Sequence, residues 1–418
     1  MAGFIDLLRS GAWLTRERVR LVAFALLAAF VLGAGFLIAT SNGLNDRFGR
    51  PLGTDFSNVY AAGTYVLDGE PGAPFDPPRQ FAREQAIFGQ ATEFYGWHYP
   101  PFFLALAALL AAMPYWLALI VWQGVTLPLY LWAMHAIVAA SPSPPGGGTE
   151  KMWLLLALAF PAVFINLGQA HNGFLTAALL GAALTQLDCR PIVAGVLIGL
   201  LAYKPQFGLL IPLVLAVSGR WRVFASAVVT LAVMTLAVTF AFGADVWSAF
   251  LATGKFTRTV VLEQGGTGWY KIQSVFSWVR MWGGGIALAY VLQAAVTVTI
   301  AAALAWLWRS RAAYPLKAAA LLIGTLLATP YSLDYDLMLL APAIGYLAYD
   351  GFARGFGAYE KTVLAALWIV PLVARSVPQA TLIPLAVPIM LLAFAMLLRR
   401  AMNECGVAQS SGVLRRVP

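Results

Sequence analysis

Five short polar stretches interrupt the apolar runs of this sequence, and they hold the residue types that acid–base and anion-binding chemistry requires. In chain order they are the stretch that begins at Asp55, "WHYPPFF" (97–103), "NLGQAHNG" (166–173), "LAYKPQFG" (201–208) and "TPYSLDYDLMLLAP" (329–342). Ionisable groups are costly at membrane depth, so those at the ends of apolar runs are candidates for function.

Asp55 immediately precedes a segment with helical periodicity, and two interpretations of it are compatible. Its carboxylate can cap the following helix by accepting backbone N–H bonds. It can also act as a general base that removes a proton from an acceptor hydroxyl. Asp68 and Glu70, further along the same segment, are expected to be solvated loop residues.

The stretches "WHYPPFF" and "NLGQAHNG" are each open to a structural and a functional interpretation. His98 and Tyr99 precede two prolines that can start a helix, and they belong either to an interfacial aromatic belt or to a substrate site. In the second stretch, Gln169, His171 and Asn172 join Asn166 in a turn that needs only one or two polar side chains. The excess of polar groups favours binding over a plain loop.

Lys204 lies between two short apolar runs, beside Gln206, at a position where the orientation rule for positive charges would not place a lysine. It is either a lysine that reaches to the interface or a cation held for an anion such as a lipid phosphate. The second interpretation is favoured because Pro205 begins the next helix, whose N-terminal dipole would assist phosphate binding.

Asp334 and Asp336 flank Tyr335 at the start of another short apolar run. The two carboxylates can cap the helix that follows, or they can contact a sugar or a metal. The residues themselves do not separate these alternatives.

Composition identifies the elements that must position these residues. Of the 418 residues, 61% are hydrophobic and only 11% are charged, whereas soluble domains carry about 25% charged residues. The chain is therefore an all-α polytopic membrane protein. Two cysteines exclude a disulfide framework. The net charge of +9 does not indicate nucleic-acid binding, because most arginines lie between apolar runs, where orientation signals belong.

Charge-free runs predict twelve membrane spans, although several are shorter than the roughly 20 residues that a crossing helix needs. The predicted spans are Leu21–Asn45, Tyr99–Ala140, Met152–Ala170, Asn172–Leu187, Pro191–Tyr203, Pro205–Gly219, Val223–Gly243, Ile286–Trp308, Ala318–Leu333, Leu337–Tyr349, Thr362–Ala374 and Ser376–Leu398. Their charged or polar ends must lie inside protein or in a water-filled cavity. The first run is too long for a signal peptide and has no cleavage site, so it is expected to be retained.

Basic residues fix the orientation of these spans. Arginines before the first span place the N-terminus in the cytoplasm. Lys151 and the basic residues that follow it lie in alternate loops, which are expected on the same side. Both termini are therefore predicted to be cytoplasmic. The outer loops are then 41–98, with an amphipathic helix expected along the membrane surface from Asp55, and 244–285. Residues 399–418 form a cytoplasmic tail, and 1–418 a single membrane domain. The 99–140 run is expected to break near Met113–Pro114 into a half helix and one span.

The order of these stretches resembles glycosyltransferase family 87, formerly domain of unknown function 2029. The matching features are the early outer-loop Asp55, "YPP" at 99–101, a "GQ-x-N"-like turn and the Lys204–Pro205 pair, within about 55–342. The sequence departs from the family in the extra residue of "GQAHN". It also departs in "SLDYD", where some members carry a "SWDHH"-like histidine pair.

The resemblance implies a GT-C-type fold of about twelve transmembrane helices with short interfacial helices on the outer face. It also implies an inverting transfer of mannose or another hexose from a polyprenyl-phosphate donor to a glycolipid, glycan or other hydroxyl acceptor. The active site would face the outside of the cytoplasmic membrane. No cofactor is implied, and a divalent metal is left open but not indicated.

The implied roles are assigned residue by residue. Asp55 would be the catalytic base, and Lys204, Arg258 and Lys271 would bind the donor phosphate. Expected substrate contacts come from all of the polar stretches after Asp55, and they are His98, Tyr99, Gln169, His171, Asn172, Gln206, Asp334, Tyr335 and Asp336.

Two other functions remain as alternatives. A transporter or flippase would also bury polar groups among short helices, but such folds show inverted repeats, and the polar groups here lie on one predicted side. A non-catalytic subunit of envelope glycan assembly would tolerate replacement of Asp55.

Overall fold

The computed structural model describes residues 2–140 and 152–414, and all regular secondary structure within these ranges is helical. The low-complexity loop "SPSPPGGG" (141–148) and Lys151 lie outside the described residues. The α-helices, α1 to α20 in chain order, are Ala2–Ser10, Arg16–Ala39, Phe56–Leu67, Pro77–Phe88, Phe102–Ala111, Tyr115–Ala139, Met152–Leu158, Pro161–Gln169, Gly173–Gln186, Pro191–Leu200, Ile211–Val217, Trp221–Phe242, Asp245–Phe256, Val275–Met281, Ile286–Arg309, Tyr314–Ala328, Leu340–Arg354, Glu360–Ile369, Ser376–Thr381 and Ala386–Leu414. Short 3₁₀ segments are Ala73–Phe75, Leu201–Tyr203, Pro205–Gly208, Trp269–Lys271, Asp334–Leu339 and Val370–Val373, and Thr257–Glu263 is π-helical.

Five helices in the described part of the chain are long and apolar enough to cross a bilayer, namely α2, α6, α12, α15 and the Ala386–Cys405 part of α20. The pair α7 and α8, bent by 46°, makes a sixth span if it crosses as one unit. The chain is thus an all-α membrane protein, and the predicted count of twelve crossings is not confirmed. The break near Met113–Pro114 is present, because α5 ends at Ala111 and α6 begins at Tyr115.

The shorter apolar helices are surrounded by protein. Every residue of α16 from Pro315 to Ala328 except Lys317 is buried, and so is nearly all of α9. Helix α16 packs against α15, α17 and α20, while α9 packs against α6 and α10. Their ends are therefore shielded by neighbouring helices, which is the condition for ending a helix at membrane depth.

Helices α10 and α12 approach each other most closely at two glycines four residues apart. A Cβ on Gly195 would lie 2.5 Å from the Val223 carbonyl oxygen, and one on Gly199 would lie 2.6 Å from Cβ of Thr230. Small residues at this spacing allow two membrane helices to make close backbone contact. The contact fixes the end of α10 from which the chain continues to Lys204.

The predicted first outer loop (41–98) contains α3 and α4, and α3 begins directly after Asp55, as its periodicity predicts. Most of α3 is buried against α4 and α5, so its apolar face packs on protein, and its position along the membrane surface stays a prediction. A Cβ at Gly63 would lie 2.1 Å from the Ala107 carbonyl oxygen. The absence of a side chain at this position lets α5 cover α3.

The second outer loop is ordered by contacts between its aromatic and basic residues. The Trp269 indole N–H donates to the Leu262 carbonyl (2.8 Å), and the Arg280 guanidinium lies 4.6 Å from the Trp269 ring centroid. Arg280 also donates to the Glu263 carbonyl (3.1 Å). These bonds fix the Gly-rich turn on which Lys271 is carried.

The C-terminal third differs from the predicted spans in its boundaries. The Leu337–Tyr349 run divides between the 3₁₀ segment Asp334–Leu339 and α17. The Ser376–Leu398 run is broken into α19 and α20, because Leu382 adopts a left-handed backbone (φ 59°) shortly before Pro384. The predicted tail is also helical as far as Leu414, since α20 continues through it.

An ionic cluster joins α17, α18 and α20 at the predicted cytoplasmic end. Asp350, whose side chain is only 3% exposed, pairs with both Arg354 and Arg400, the latter at 2.6 Å. Arg400 also binds Glu360 (2.6 Å), and Arg354 binds Glu404 (2.7 Å). The buried carboxylate is therefore charge-compensated from two helices.

Replacing Arg400 by alanine is expected to lower thermal stability, because Asp350 loses one of its two cations and Glu360 loses its partner. The breaking of a buried ion pair of this kind costs about 3 kcal/mol. The thermal midpoint of the detergent-purified protein, followed by size-exclusion chromatography, measures the effect. Arg399→Ala, an exposed neighbour on the same helix, is the control, and equal midpoints for the two variants would contradict the role of the cluster.

Candidate active site

Asp55 occupies the N-cap position of α3, but its carboxylate makes no capping bond. Its hydroxyl neighbour Thr54 lies 3.5 Å from Oδ2, while Asn58 donates to the Asp55 backbone carbonyl (2.7 Å). The Asp55 backbone N–H donates to the Gln169 carbonyl (3.1 Å), which fixes the start of α3 against the end of α8. The capping interpretation is therefore wrong for this side chain. The partly accessible carboxylate is left available for chemistry.

Burial raises the pKa of Asp55 from 3.8 to about 6. The positive charge of Arg375 lowers this pKa, the negative charge of Asp334 raises it, and Lys271 lowers it again. Two cations and a second carboxylate thus lie within electrostatic reach of Asp55. A carboxylate with this pKa is ionised at neutral pH and is more basic than an ordinary aspartate.

Arg375 is the central cation of this group, and the sequence analysis missed it. Its guanidinium binds the buried carboxylate of Asp334 in bidentate fashion, with Nη2 at 3.1 Å from Oδ1 and Nε bonded to Oδ2. The Gln169 amide lies against the same guanidinium, and its oxygen accepts from Nη1 at 3.2 Å when the amide is oriented so that donors face acceptors. The Arg375 side chain remains 40% exposed. The side chain of Gln169 thereby contacts Arg375, and the backbone of Gln169 contacts Asp55.

Lys271 reaches this group because the second outer loop is tied to the C-terminal half of the chain. The Gln273 N–H donates to the Ser332 carbonyl (2.6 Å), and the Gln273 side chain donates to the Ala374 carbonyl (2.7 Å). Lys271 is partly exposed, and within the described residues it forms no ion pair, only a cation–π contact with Tyr270 at 5.8 Å. It is a cation still available to an anionic ligand.

Lys204 is buried and already paired. Its Nζ lies 2.5 Å from Oδ1 of Asp336, and the two side chains are 2% and 1% exposed. The ammonium group also lies 4.6 Å from the centroid of the Tyr335 ring. Asp336 Oδ2 accepts the Leu333 N–H (2.9 Å), so this carboxylate caps its own 3₁₀ segment. In this conformation the accessible part of the site lies over three buried side chains, those of Lys204, Tyr335 and Asp336.

The "NLGQAHNG" turn contributes mainly buried contacts. Asn166 donates to the Tyr335 carbonyl (3.0 Å) and accepts from the Gly173 N–H (2.9 Å). The His171 ring stacks on Tyr335 with centroids 3.4 Å apart, and its Nδ1 accepts from the Asn172 N–H (2.9 Å). Of the polar residues of this turn, only Gln169 is both accessible and adjacent to Asp55.

A recess of about 270 Å³ opens between the two outer loops. Its walls are mostly apolar and aromatic, with a polar edge, and it is lined by Phe75, Trp97, His98, Pro100, Pro205, Gln206, Phe250, Thr253, Gly254, Thr257, Arg258, Leu262 and Tyr331. Burial raises the pKa of Tyr331, and the charges of Asp336 and Asp55 raise it further. Tyr331 therefore lines the recess and is within electrostatic reach of Asp55.

His98 and Arg258 occupy the polar edge of this recess. Nδ1 of His98 lies 2.9 Å from the Thr257 hydroxyl, which joins the two outer loops. Burial lowers the pKa of His98 to about 4, so it is neutral at physiological pH. The Arg258 side chain is 68% exposed and pairs with Glu263 at 2.8 Å. Tyr99, behind the recess, contacts His171 through its hydroxyl (3.4 Å).

A buried carboxylate on α4 holds the chain that leads into the recess. Glu84 accepts the N–H groups of Tyr95 (3.1 Å) and Gly96 (3.3 Å) and the Gln80 amide (3.3 Å). Burial raises the pKa of Glu84 to about 7, backbone bonds oppose the shift, and Asp55 adds to it. No sequence signal marked Glu84, because only packing places α4 over the following segment.

The structure therefore separates the predicted site residues into two groups. Those with accessible side chains near Asp55 or the recess are His98, Tyr99, Gln169, Gln206, Arg258 and Lys271. Those that are buried beneath them are His171, Asn172, Lys204, Asp334, Tyr335 and Asp336. Within the described residues, no group of three His, Cys, Asp or Glu side chains is arranged to hold a metal ion.

Residues 97–330, more than half of the chain, match the model of glycosyltransferase family 87. No curated protein and no solved structure matches the chain. The matched range includes His98, Lys204 and Lys271, whereas Asp55 and Arg375 lie outside it.

The Lys204–Asp336 pair yields a stability prediction. Lys204→Met leaves a buried, unpaired carboxylate and is expected to cost about 3–5 kcal/mol. Lys204→Met combined with Asp336→Asn removes both charges and keeps an acceptor for the Leu333 N–H, so most of the loss should be recovered. Thermal midpoints of the single and double variants measure this, and a single variant as stable as the wild type would refute it.

Proposed function

The chain belongs to glycosyltransferase family 87 and is therefore a glycosyltransferase; we propose that it transfers a sugar from a polyprenyl-phosphate carrier to an acceptor hydroxyl. The observation that carries this proposal is Asp55, a free carboxylate with a pKa of about 6, beside Arg375 and Lys271. A base and two cations are what the attack of a hydroxyl on a sugar phosphate requires.

Asp55 is the general base in this proposal. At neutral pH it is ionised, and its pKa of about 6 brings it closer to the operating pH than an ordinary aspartate. Asn58 and Gln169 hold its backbone, so the carboxylate approaches the acceptor hydroxyl from a fixed position. Neither bond occupies the carboxylate oxygens.

Arg375 and Lys271 bind the donor phosphate in this proposal. Arg375 presents a planar guanidinium, oriented by Asp334 and Gln169, and guanidinium groups bind phosphate oxygens in bidentate geometry. Lys271 adds a second positive charge. Lys204, which the sequence favoured for this role, is neutralised by Asp336 and almost inaccessible.

The recess between the outer loops suits the first part of the lipid carrier. Trp97, Phe250 and Leu262 provide an apolar wall, and Arg258 stands at its polar edge. A polyprenyl chain that reaches the site from the outer leaflet would find apolar surface there, and its phosphate would face the cations.

The bonds made and broken balance as follows. The acceptor oxygen attacks the anomeric carbon as Asp55 takes its proton. The carbon–oxygen bond to the phosphate breaks, and the electron pair leaves with the polyprenyl phosphate. The cations stabilise the charge that develops on this leaving group, which lowers the need for a separate acid. Attack opposite the leaving group inverts the configuration. Asp55 then returns its proton to solvent.

The sugar and the location follow from family resemblance and charge pattern. Mannose is the proposed sugar, and the outer face of the cytoplasmic membrane is the proposed location. Both termini are proposed to be cytoplasmic. The distribution of polar groups supports an enzyme over a transporter, because the accessible polar residues gather beside the two outer loops.

Asp55→Asn is expected to lower transfer by at least a hundredfold, because the variant lacks the base. Radiolabelled polyprenyl-phosphate mannose and a lipid extract from the source cells, supplied to protein in nanodiscs, measure product. In the wild type, kcat/KM should fall about tenfold per pH unit below about pH 6, as Asp55 becomes protonated. Equal product from the variant would exclude Asp55 as the base.

The same substitution should not destabilise the protein. The pKa of Asp55 is raised in the folded state, so its ionised form costs stability, and this cost grows as the pH rises from about 4 to 6. The Asp55→Asn thermal midpoint at pH 7.5 is therefore expected to equal or exceed that of the wild type. A lower midpoint would mean that lost activity reflects misfolding.

Lys271→Gln is expected to raise the KM for the donor about tenfold or more, because one charge-assisted bond to the phosphate is lost. Lys255→Gln removes an exposed cation of the same outer loop that lines neither the recess nor the Asp55 group, and it serves as the control. An unchanged donor KM in Lys271→Gln would remove this residue from the phosphate site.

A further inference from the structure

A second recess lies beside the first outer loop, and the proposed catalytic steps do not use it. Its volume is about 370 Å³, and it is lined by Phe48, Gly49, Arg50, Ala91 and Glu93. We refer to it as the polar recess. Its lining differs from that of the apolar recess, because two of its five residues are charged.

The turn that forms one wall of the polar recess is held in a single shape. Asp46 Oδ1 accepts the N–H groups of Phe48 (2.8 Å) and Arg50 (3.0 Å), and the Asp46 N–H donates to the Arg50 carbonyl (2.7 Å). The Asn45 side chain donates to the Phe88 carbonyl (2.7 Å), which ties this turn to the end of α4. The side chains of Phe48 and Arg50 are therefore presented from an ordered backbone.

These side chains have few contacts of their own. The Phe48 side chain is 67% exposed, with the Arg47 guanidinium 5.5 Å from its ring centroid. Arg50 and Glu93 are exposed, and neither side chain forms an ion pair or hydrogen bond with another described residue, although both line the same recess. The polar recess thus offers a hydrogen-bond donor (Arg50), a hydrogen-bond acceptor (Glu93) and an exposed aromatic ring (Phe48).

This combination suits a neutral sugar. An aromatic ring stacks on the C–H face of a pyranose, the guanidinium donates to ring and hydroxyl oxygens, and a carboxylate accepts from hydroxyl groups. The opposite charges of Arg50 and Glu93 cancel, so the lining does not favour a phosphate or another anion. The donor phosphate therefore belongs with Arg375 and Lys271, away from this recess.

The polar recess is close to the catalytic base. Arg50 precedes Asp55 by five residues, so their backbones are separated by at most about 17 Å. Tyr95 is near both, because burial and then the charges of Asp55 and Glu93 raise its pKa, while Arg50 lowers it. A glycan of a few sugar units would reach from one place to the other.

We propose that the polar recess is a subsite for a neutral sugar of the acceptor, remote from the hydroxyl that reacts. This proposal rests on the proposed function, and it assigns Phe48, Arg50 and Glu93 to acceptor recognition. The acceptor is then a glycan or glycolipid with more than one sugar unit.

Saturation-transfer NMR on the full-length protein in nanodiscs tests the subsite without turnover. The probes are three neutral disaccharides, α-1,2-mannobiose, maltose and lactose. Their non-reducing units are mannose, glucose and galactose, respectively. We expect at least one probe to bind the wild type, with its signal reduced at least fivefold in Phe48→Ala and in the double variant Arg50→Gln, Glu93→Gln. Lys255→Gln, which lies outside both recesses, should keep the full signal.

Asp55→Asn separates this proposal from the proposed function. If it binds the probes like the wild type while transfer is lost, both the subsite and the base are supported. If wild type and Asp55→Asn both transfer sugar equally but the recess variants still lose binding, the subsite stands and the base fails. The subsite is overturned if no probe binds the wild type, or if Phe48→Ala and the double variant bind as well as Lys255→Gln.

Discussion

The buried ion pair between Lys204 and Asp336 is the interaction on which the part of the protein around Asp55 depends. Asp336 lies in the 3₁₀ segment Asp334–Leu339, which is almost completely buried. A carboxylate can occupy such a position only when it is paired and hydrogen-bonded. Lys204 supplies the charge, and the Leu333 N–H supplies a further bond. Once this segment is fixed, its neighbouring side chains take defined positions on either side of it.

Those positions assemble the candidate active site. On one side, Tyr335 receives the His171 ring and the Asn166 amide, which fix the turn that carries Gln169. On the other side, Asp334 holds Arg375 next to Asp55. The Asp55 carboxylate, the proposed base, has only the Thr54 hydroxyl (3.5 Å) as a side-chain hydrogen-bond partner, and burial raises its pKa. The site therefore combines one buried, hydrogen-bonded ion pair with one carboxylate that forms no ion pair.

The ion pair also distinguishes two basic residues that look alike in the sequence. Lys204 and Arg375 share the same signal, a basic residue between two apolar runs on the predicted outer side. The pattern therefore predicts an anion-binding cation at Arg375 as much as at Lys204. In the structure the two residues have different roles, because one faces a buried carboxylate and is 2% exposed, and the other is 40% exposed. Their partners, Asp336 and Asp334, are two residues apart in the same 3₁₀ segment.

Several features of this protein were determined by the sequence alone. Apolar composition required a helical membrane protein, the periodicity after Asp55 required a helix, and Pro114 required the break before α6. These are local properties, set by side-chain hydrophobicity and backbone sterics. Only the tertiary structure decided which charged side chains are buried in ion pairs and which remain accessible. Burial and pairing depend on contacts between residues that are far apart in the sequence. Lys204 pairs with Asp336, which is 132 residues away in the sequence. Asp55 is likewise brought close to Gln169 and Arg375 from distant parts of the chain. No local sequence pattern could therefore assign the roles of these residues.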